Sequence, residues 1–97
     1  MATEKGVKLD TGKPRMELLP LEALESIAEV MTFGANKYCD NGWKTVPNGL
    51  DRYKGALLRH LVAIEKGETV DPESGLDHYA HVACNALFML YLRKANA

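Results

Sequence analysis

Hydrophobic residues recur along the chain at the three- and four-residue steps that are typical of α-helices. A first apolar stripe, between residues 20 and 37, comprises Leu24, Ile27, Ala28, Met31 and Ala35. A second, between residues 50 and 66, comprises Leu50, Tyr53, Leu57, Leu61 and Ile64. A third, between residues 72 and 93, comprises Leu76, Ala80, Ala83, Leu87 and Leu90. No segment alternates with the two-residue period of a strand over a useful length, so the pattern predicts an all-α fold, a small bundle of three main helices.

Residues at the ends of these stripes support the predicted helices 20–37, 50–66 and 72–93. Pro20 suits the first turn of a helix, where its missing N–H is not needed. Asn48 or Asp51 can cap the second helix. The run Asp71-Pro72-Glu73 combines a capping side chain, a first-turn proline and a carboxylate near the positive helix end, and it predicts the start of the third helix.

The first 18 residues differ from the rest because they lack an apolar period and are punctuated by glycine and proline. They predict an extended, locally basic arm in front of the helices. The length of 97 residues, with 46% hydrophobic and 26% charged residues, predicts that residues 1–97 form a single globular domain. Such a small helical domain gains much by burying a face against a second copy, so we expect a homo-oligomer.

Charge and hydropathy narrow the classes of partner. Twelve lysines and arginines against thirteen acidic residues give a net charge of −1, which does not favour binding to a nucleic-acid polymer. No apolar run approaches the roughly 20 residues needed to cross a bilayer, and no signal-peptide core is evident, so we expect no membrane partner and a cytoplasmic location. Cys39 and Cys84 are too few for a disulfide framework and are expected to be free thiols.

The three histidines fall in the two most apolar predicted helices. His78 and His81 are three residues apart and therefore neighbours on one helix face, and Asn85 continues the same polar row. His60 lies on the buried stripe of the second helix. Each could be a packed residue bonded to a backbone carbonyl. Burying three imidazoles without partners in so small a core would cost free energy of folding, however. This favours a site that binds a metal ion or a phosphate.

Carboxylates offer a second set of candidate ligands. Glu25 and Glu29 lie four apart on the first helix, and Asp77 lies one turn before His81. These four residues predict a mixed oxygen and nitrogen metal site, with Glu29 joining His60, His78 and His81 as candidate catalytic groups. The alternative is a solvated helix face stabilised by charge pairs, the commonest use of glutamate in helices.

Phosphate binding would need fixed cations. Lys13 and Arg15 flank Pro14, which stiffens the arm and holds the two charges in a fixed relation. Lys37 follows the first helix, and Arg59 precedes His60 in an apolar run where a long cation must reach solvent or an anion. A frayed, solvated terminus is the alternative for the arm.

Several spaced motifs carry a resemblance that covers residues 8 to 92. They are GKPR (12–15), FGANKY (33–38), the pair Arg59 and His60, and DPESG (71–75) followed by HxxH and Asn85. In order and spacing they resemble the phage-associated dATP/dGTP diphosphohydrolase N-terminal domains. That family is similar to the MazG-like, all-α nucleotide pyrophosphohydrolases, which cut nucleoside triphosphates between the α and β phosphates with magnesium or manganese.

The resemblance implies roles for individual residues. Lys13, Arg15, Lys37 and Arg59 would contact phosphates, and the three histidines would form the polar core of the pocket. Tyr38, Trp43 or Phe33 would stack on the nucleobase. MazG-like enzymes usually hold metal with ExxE and ExxD pairs. Glu22 and Glu25 satisfy ExxE, whereas His81 and Asn85 occupy the region of the ExxD pair, and a site with histidines suits manganese, cobalt or zinc better than magnesium.

Three functions remain open on the sequence. The first is hydrolysis of deoxynucleoside triphosphates to the monophosphate and pyrophosphate by a metal-activated water. The second is a non-catalytic protein that sequesters a nucleotide or a cyclic-nucleotide immune signal. The third is a structural helical oligomer in which the histidines form a buried interface network. The basic GKPR arm argues against this third function.

Overall fold

Three α-helices make up most of the computed structural model, which describes residues 11–96. They are α1 (Leu21–Lys37), α2 (Gly49–Glu65) and α3 (His78–Ala95). Two short 3₁₀ helices, Met16–Leu18 and Gly42–Thr45, lie before α1 and between α1 and α2. Over residues 11–96 the extended pairing consists of one isolated antiparallel bridge, between Val70 and Asp77. The predicted all-α fold is confirmed.

The bounds of α1 and α2 lie within one residue of those that the apolar stripes predict. The predicted start of the third helix at residue 72 is wrong, because α3 begins at His78. Residues 71–77 instead form a compact turn.

Hydrogen bonds explain why the chain turns at Asp71. The Asp71 side chain accepts from the backbone N–H of Ser74 at 2.9 Å, and the Asp71 carbonyl accepts from Gly75 N–H at 2.7 Å. Gly75 has φ +71°, a left-handed conformation that does not continue a helix. Asp-Pro is as typical of a turn as of a helix start. The helix is capped two residues later, where the Asp77 side chain accepts from Tyr79 N–H at 2.8 Å.

Helix α3 is the centre of the packing: α2 lies along it over most of its length and α1 packs on it more sparsely. The buried hydrophobic residues are Val30 of α1 and Ala80 and Cys84 of α3, within residues 11–96. An aromatic cluster lies further along α3, where Trp43 stacks on Phe88 at 4.2 Å between ring centroids. Tyr53 of α2 meets Phe88 edge-on at 5.0 Å between ring centroids, so the aromatic cluster also holds α2 against α3.

The described part of the arm, residues 11–18, is exposed throughout and contains the 3₁₀ helix Met16–Leu18 in place of a fully extended chain. The first ten residues of the predicted arm lie outside the described residues. None of the helices formed by residues 11–96 has the length and apolar character that crossing a bilayer requires.

Candidate functional site

The three histidines meet where α2 faces the first turn of α3. The Nδ1 atoms of His60 and His78 lie 2.8 Å apart. The ring of His81 stacks on that of His60, with 4.3 Å between centroids and 10° between planes. His78 is 2% exposed and His81 9% exposed. The structure therefore brings all three predicted histidines into one cluster, hereafter the histidine cluster.

The loop between α2 and α3 supplies the outer partners of these rings. Nε2 of His78 lies 2.6 Å from Oε1 of Glu68, and Nε2 of His81 lies 2.7 Å from Oγ of Ser74. Asp71 Oδ2 lies 3.9 Å from the same His81 nitrogen. Within residues 11–96 these ring nitrogens thus contact side chains, whereas the alternative of packed core histidines has them bonded to backbone carbonyls. Asn85 does play a packing role, because its Nδ2 donates to the His81 carbonyl at 2.8 Å.

The contacts of His78 fix which ring nitrogens carry hydrogen. An ionised Glu68 only accepts, so Nε2–H of His78 donates to it. A neutral His78 then has a lone pair on Nδ1, which accepts from Nδ1–H of His60. Nε2 of His60 is left with a lone pair. The cluster therefore contains a chain of hydrogen bonds from His60 through His78 to the carboxylate of Glu68.

Burial and mutual proximity favour the neutral form of two of these imidazoles, those of His60 and His81. Burial lowers the pKa of His60, and the neighbouring charge of His81 lowers it further. Burial also lowers the pKa of His81, although the negative charge of the Asp71 carboxylate acts to raise it. For the Asp71 carboxyl, burial acts to raise the pKa, but hydrogen bonds from Ser74 outweigh it and the pKa is lowered. At neutral pH the uncharged rings of His60 and His81 thus lie beside the ionised carboxylate of Asp71.

One group of potential metal ligands stands out among residues 11–96. His60, Asp71 and His78 each offer a ligand atom, and these three atoms lie within 4.8 Å of one another. The ligand set predicted from the sequence is not assembled in this way. Asp77 caps α3, and Glu25 and Glu29 lie exposed on α1. His81 adjoins the cluster, but its Nε2 contacts Ser74.

The predicted phosphate-binding cations are dispersed. Arg15 pairs with Glu17 at 2.9 Å, and both side chains are exposed. Lys37, at the end of α1, pairs with Glu73 at 2.5 Å and so ties α1 to the turn that carries Asp71. Arg59 is exposed on α2 next to His60. Lys13 lies in the exposed arm and lines a shallow surface cavity there. Arg59 therefore lies on a helix that carries the histidine cluster and Lys37 is paired with the loop beside it, whereas Lys13 and Arg15 lie on the arm.

The predicted base-stacking residues differ in their surroundings. One face of Trp43 is covered by Phe88, Tyr91 meets the ring edge-on at 5.1 Å, and its carbonyl accepts from Oη of Tyr53 at 2.6 Å. Trp43 is thus engaged in packing. Tyr38 is 76% exposed, and Nζ of Lys37 lies 5.4 Å from the centre of its ring.

Two surface cavities of the described chain lie elsewhere: one is in the arm, and the other lies between the start of α2 and the end of α3, lined by residues that include Lys44, Gly49 and Leu92. Neither is lined by a histidine.

Sequence reasoning missed Glu68 and Ser74. Both lie in the loop before α3, where no periodicity indicates which way a side chain points. The one available signal was the acidic and hydroxyl content of a loop between two histidine-bearing helices. That signal does not specify a contact.

Comparison with known proteins shows the family of the chain. The family described as "dATP/dGTP diphosphohydrolase, N-terminal" matches residues 3–97. The chain belongs to this family. A "dATP/dGTP diphosphohydrolase" of Salmonella phage PMBT28 is 33% identical over 87 residues, which are 90% of this chain and 29% of the phage protein. The chain thus spans under a third of the length of that relative. No solved structure matches it. The resemblance to dATP/dGTP diphosphohydrolase N-terminal domains is confirmed, and the family to which the chain belongs is one of nucleotide hydrolases.

Proposed function

We propose that the protein hydrolyses deoxynucleoside triphosphates, such as dATP and dGTP, to the monophosphate and pyrophosphate at the histidine cluster. The observation that carries the proposal is the meeting of three imidazoles and the Asp71 carboxylate where α2, α3 and their connecting loop converge. Clusters of titratable groups with perturbed pKa values are typical of catalytic sites. Membership of a diphosphohydrolase family supports the choice of reaction.

His81 is the group best suited to accept a proton. Its lowered pKa leaves it neutral at pH 7, and Ser74 holds its ring in place. As a water oxygen bonds to the α-phosphorus, one water proton passes to the imidazole of His81. The bond from the α-phosphorus to the bridging oxygen breaks, and the pyrophosphate leaves with both electrons of that bond.

Cations around the cluster would hold the leaving phosphates. Arg59 is exposed on α2 beside His60, and Lys37 lies beside the turn that carries Asp71. Lys37 would exchange its partner Glu73 for a phosphate oxygen. Lys13 and Arg15 would approach from the arm, where both are exposed. Positive charge that faces the departing pyrophosphate stabilises the transition state more than the ground state.

A divalent cation belongs to the proposal, and the donors in the structure fit one. His60, His78 and Asp71 would hold it, since their ligand atoms already lie within 4.8 Å of each other. When bound, the cation would neutralise charge on the phosphates and lower the pKa of water.

Sequestration of an intact nucleotide is the second candidate. It is favoured by the single carboxylate of the ligand group, because MazG-like hydrolysis uses two carboxylate pairs and the glutamates of α1 lie exposed. A protein that binds without cutting could capture a nucleotide or a cyclic-nucleotide signal with the same cations.

One assay separates the two candidates. Purified protein is incubated with each deoxynucleoside triphosphate and with cyclic dinucleotides, with and without manganese, and both pyrophosphate release and retained ligand are measured. Turnover of dATP or dGTP to the monophosphate is the expected result. Retention of intact ligand without pyrophosphate would replace hydrolysis by sequestration, and neither outcome with any ligand would overturn both.

A further inference from the structure

The orientation of His78 is set by a contact that no catalytic role of the cluster requires. Nε2 of His78 lies 2.6 Å from Oε1 of Glu68, and the His78 side chain is almost fully buried. Glu68 lies in the loop after α2, and its side chain is 47% exposed. The pair fixes the tautomer of His78, so that the lone pair of Nδ1 faces His60.

A lone pair held in this way is a preformed metal ligand. In metal sites of proteins, a ligating histidine commonly donates its other ring N–H to a carboxylate, which orients the ring and raises its basicity. Glu68 and His78 have this arrangement. The opposite Nδ1, of His60, lies 2.8 Å away, and it binds a metal ion in the other neutral tautomer of His60, with the hydrogen on Nε2. Nitrogens bound to one tetrahedral zinc ion at 2.0–2.1 Å would lie about 3.3 Å apart, so a small separation of the two rings would admit an ion.

The donor types select the class of metal. Two imidazole nitrogens and one carboxylate oxygen suit zinc, cobalt or manganese, whereas magnesium prefers octahedral oxygen ligands and keeps several waters. Three protein ligands also leave a fourth position open, the arrangement of catalytic rather than structural zinc sites. The remaining histidine of the cluster, His81, stacks beside His60 and stays free of the ion.

We propose that His60, His78 and Asp71 form a site for a borderline transition metal ion of the zinc and cobalt(II) class, and that Glu68 is a positioning residue that holds His78 ready to bind it. The site is the one on which the proposed function rests, but metal binding does not depend on hydrolysis. A chain that binds the ion and cuts no nucleotide would refute the proposed function and leave the metal site standing.

Cobalt(II) titration of the full, untagged chain tests the site directly. Its visible absorption reports nitrogen coordination and low coordination number, and zinc competition gives the zinc affinity. Wild-type protein is expected to bind one ion with an intense visible spectrum, and a large excess of magnesium is expected to leave it bound. His78→Ala and Asp71→Asn are expected to weaken zinc binding at least 100-fold, with circular dichroism to verify the helices.

The role of Glu68 is tested by Glu68→Gln with Glu65→Gln as the matched control, since Glu65 is exposed at the end of α2 and loses the same charge. Removal of an outer-shell carboxylate typically lowers metal affinity 10- to 100-fold. We expect a loss of that size for Glu68→Gln with the cobalt spectrum retained, and wild-type affinity for Glu65→Gln. Absence of stoichiometric cobalt binding by the wild type would overturn the metal site, and equal affinities of the two glutamine variants would overturn the positioning role.

Discussion

At the scale of single residues, the histidine cluster combines burial of its rings with a preference for their uncharged form. His78 and His81 are nearly inaccessible, and their ring contacts in the described chain run to Glu68, Ser74 and His60. Uncharged imidazoles tolerate such burial, whereas imidazolium ions at these distances would repel one another. The same neutrality makes the nitrogens available as bases or ligands. Stability and chemistry therefore depend on the same protonation state.

Acidification is expected to destabilise the fold through His60 and His81. Their pKa values are lowered in the folded chain, so the unfolded chain takes up protons at a higher pH than the folded one. The free energy of unfolding should be constant above the ordinary histidine pKa of about 6.5 and fall as the pH decreases below it. Urea unfolding between pH 7.5 and 5, in a chelator, measures this.

His81→Gln provides the comparison, since it removes one of the two titrations. Its unfolding free energy should fall less steeply with decreasing pH than that of the wild type. Asp71 acts in a separate window, because its lowered pKa costs stability only as the pH approaches 4 and below. A wild-type unfolding free energy that stays level or rises from pH 7 to pH 5.5 would contradict the assigned neutrality.

The two cysteines are expected to react very differently. Cys84 is 1% exposed and burial raises the pKa of its thiol to about 12, whereas Cys39 is exposed after α1. A thiol reagent at pH 8 should label one cysteine rapidly in the folded chain and both in denaturant. Mass spectrometry of the labelled peptides identifies the site. Rapid labelling of Cys84 in the folded chain would show that α3 is not buried as described.

At the scale of elements, the loop between α2 and α3 does most to shape the site. It turns at Asp71, places Glu68 and Ser74 against the histidines, and delivers Asp77 as the cap of α3. The cap therefore determines where α3 begins and which face its first turn, with His78 and His81, presents to α2.

Asp77→Ala is expected to lower the free energy of unfolding by about 1 kcal/mol, the usual cost of removing a helix N-cap. The acceptor for Tyr79 N–H is lost, and the first turn of α3 frays. Asp77→Asn keeps an acceptor and should recover most of the loss. Chemical denaturation of the three proteins at pH 7 gives the comparison. An alanine variant as stable as the wild type would show that the Asp77 cap does not stabilise α3.

The helix bounds can be predicted from the sequence only in part. Apolar periods specify α1 and α2 to within a residue because burial of one helix face sets them. The sequence predicts too early a start for α3, because Asp71-Pro72-Glu73 carries signals shared by turns and helix starts. The histidines could be singled out as polar residues on apolar stripes. Glu68 and Ser74 could not, because their roles depend on a loop conformation that brings residues up to ten positions apart into contact.

At the scale of the whole molecule, the chain leaves much apolar surface uncovered. The buried hydrophobic residues in the described chain are only Val30, Ala80 and Cys84, while Leu58 and Val62 on α2 are 48% and 52% exposed. These two side chains lie four apart and share a helix face. An exposed apolar face of this kind is typical of a surface that meets another protein, and we propose that it meets a second copy.

Sedimentation at tens of micromolar protein is expected to show an oligomer, and Leu58→Glu with Val62→Glu is expected to shift it to a monomer, because charges would enter the apolar contact. Arg52→Glu, a substitution at an exposed position on a different face of the same helix, should leave the oligomer intact. A monomeric wild type would refute self-association, and an oligomeric double variant would place the contact elsewhere.

The central claim is that the histidine cluster is where nucleotide is cut. The most direct measurement is the initial rate of pyrophosphate release from dGTP with manganese, by the wild type, His81→Ala and the control Glu65→Gln. Loss of the proton acceptor should lower the rate about 100-fold or more, with unchanged circular dichroism, and the control should match the wild type. A folded His81→Ala variant that releases pyrophosphate at the wild-type rate would contradict the claim.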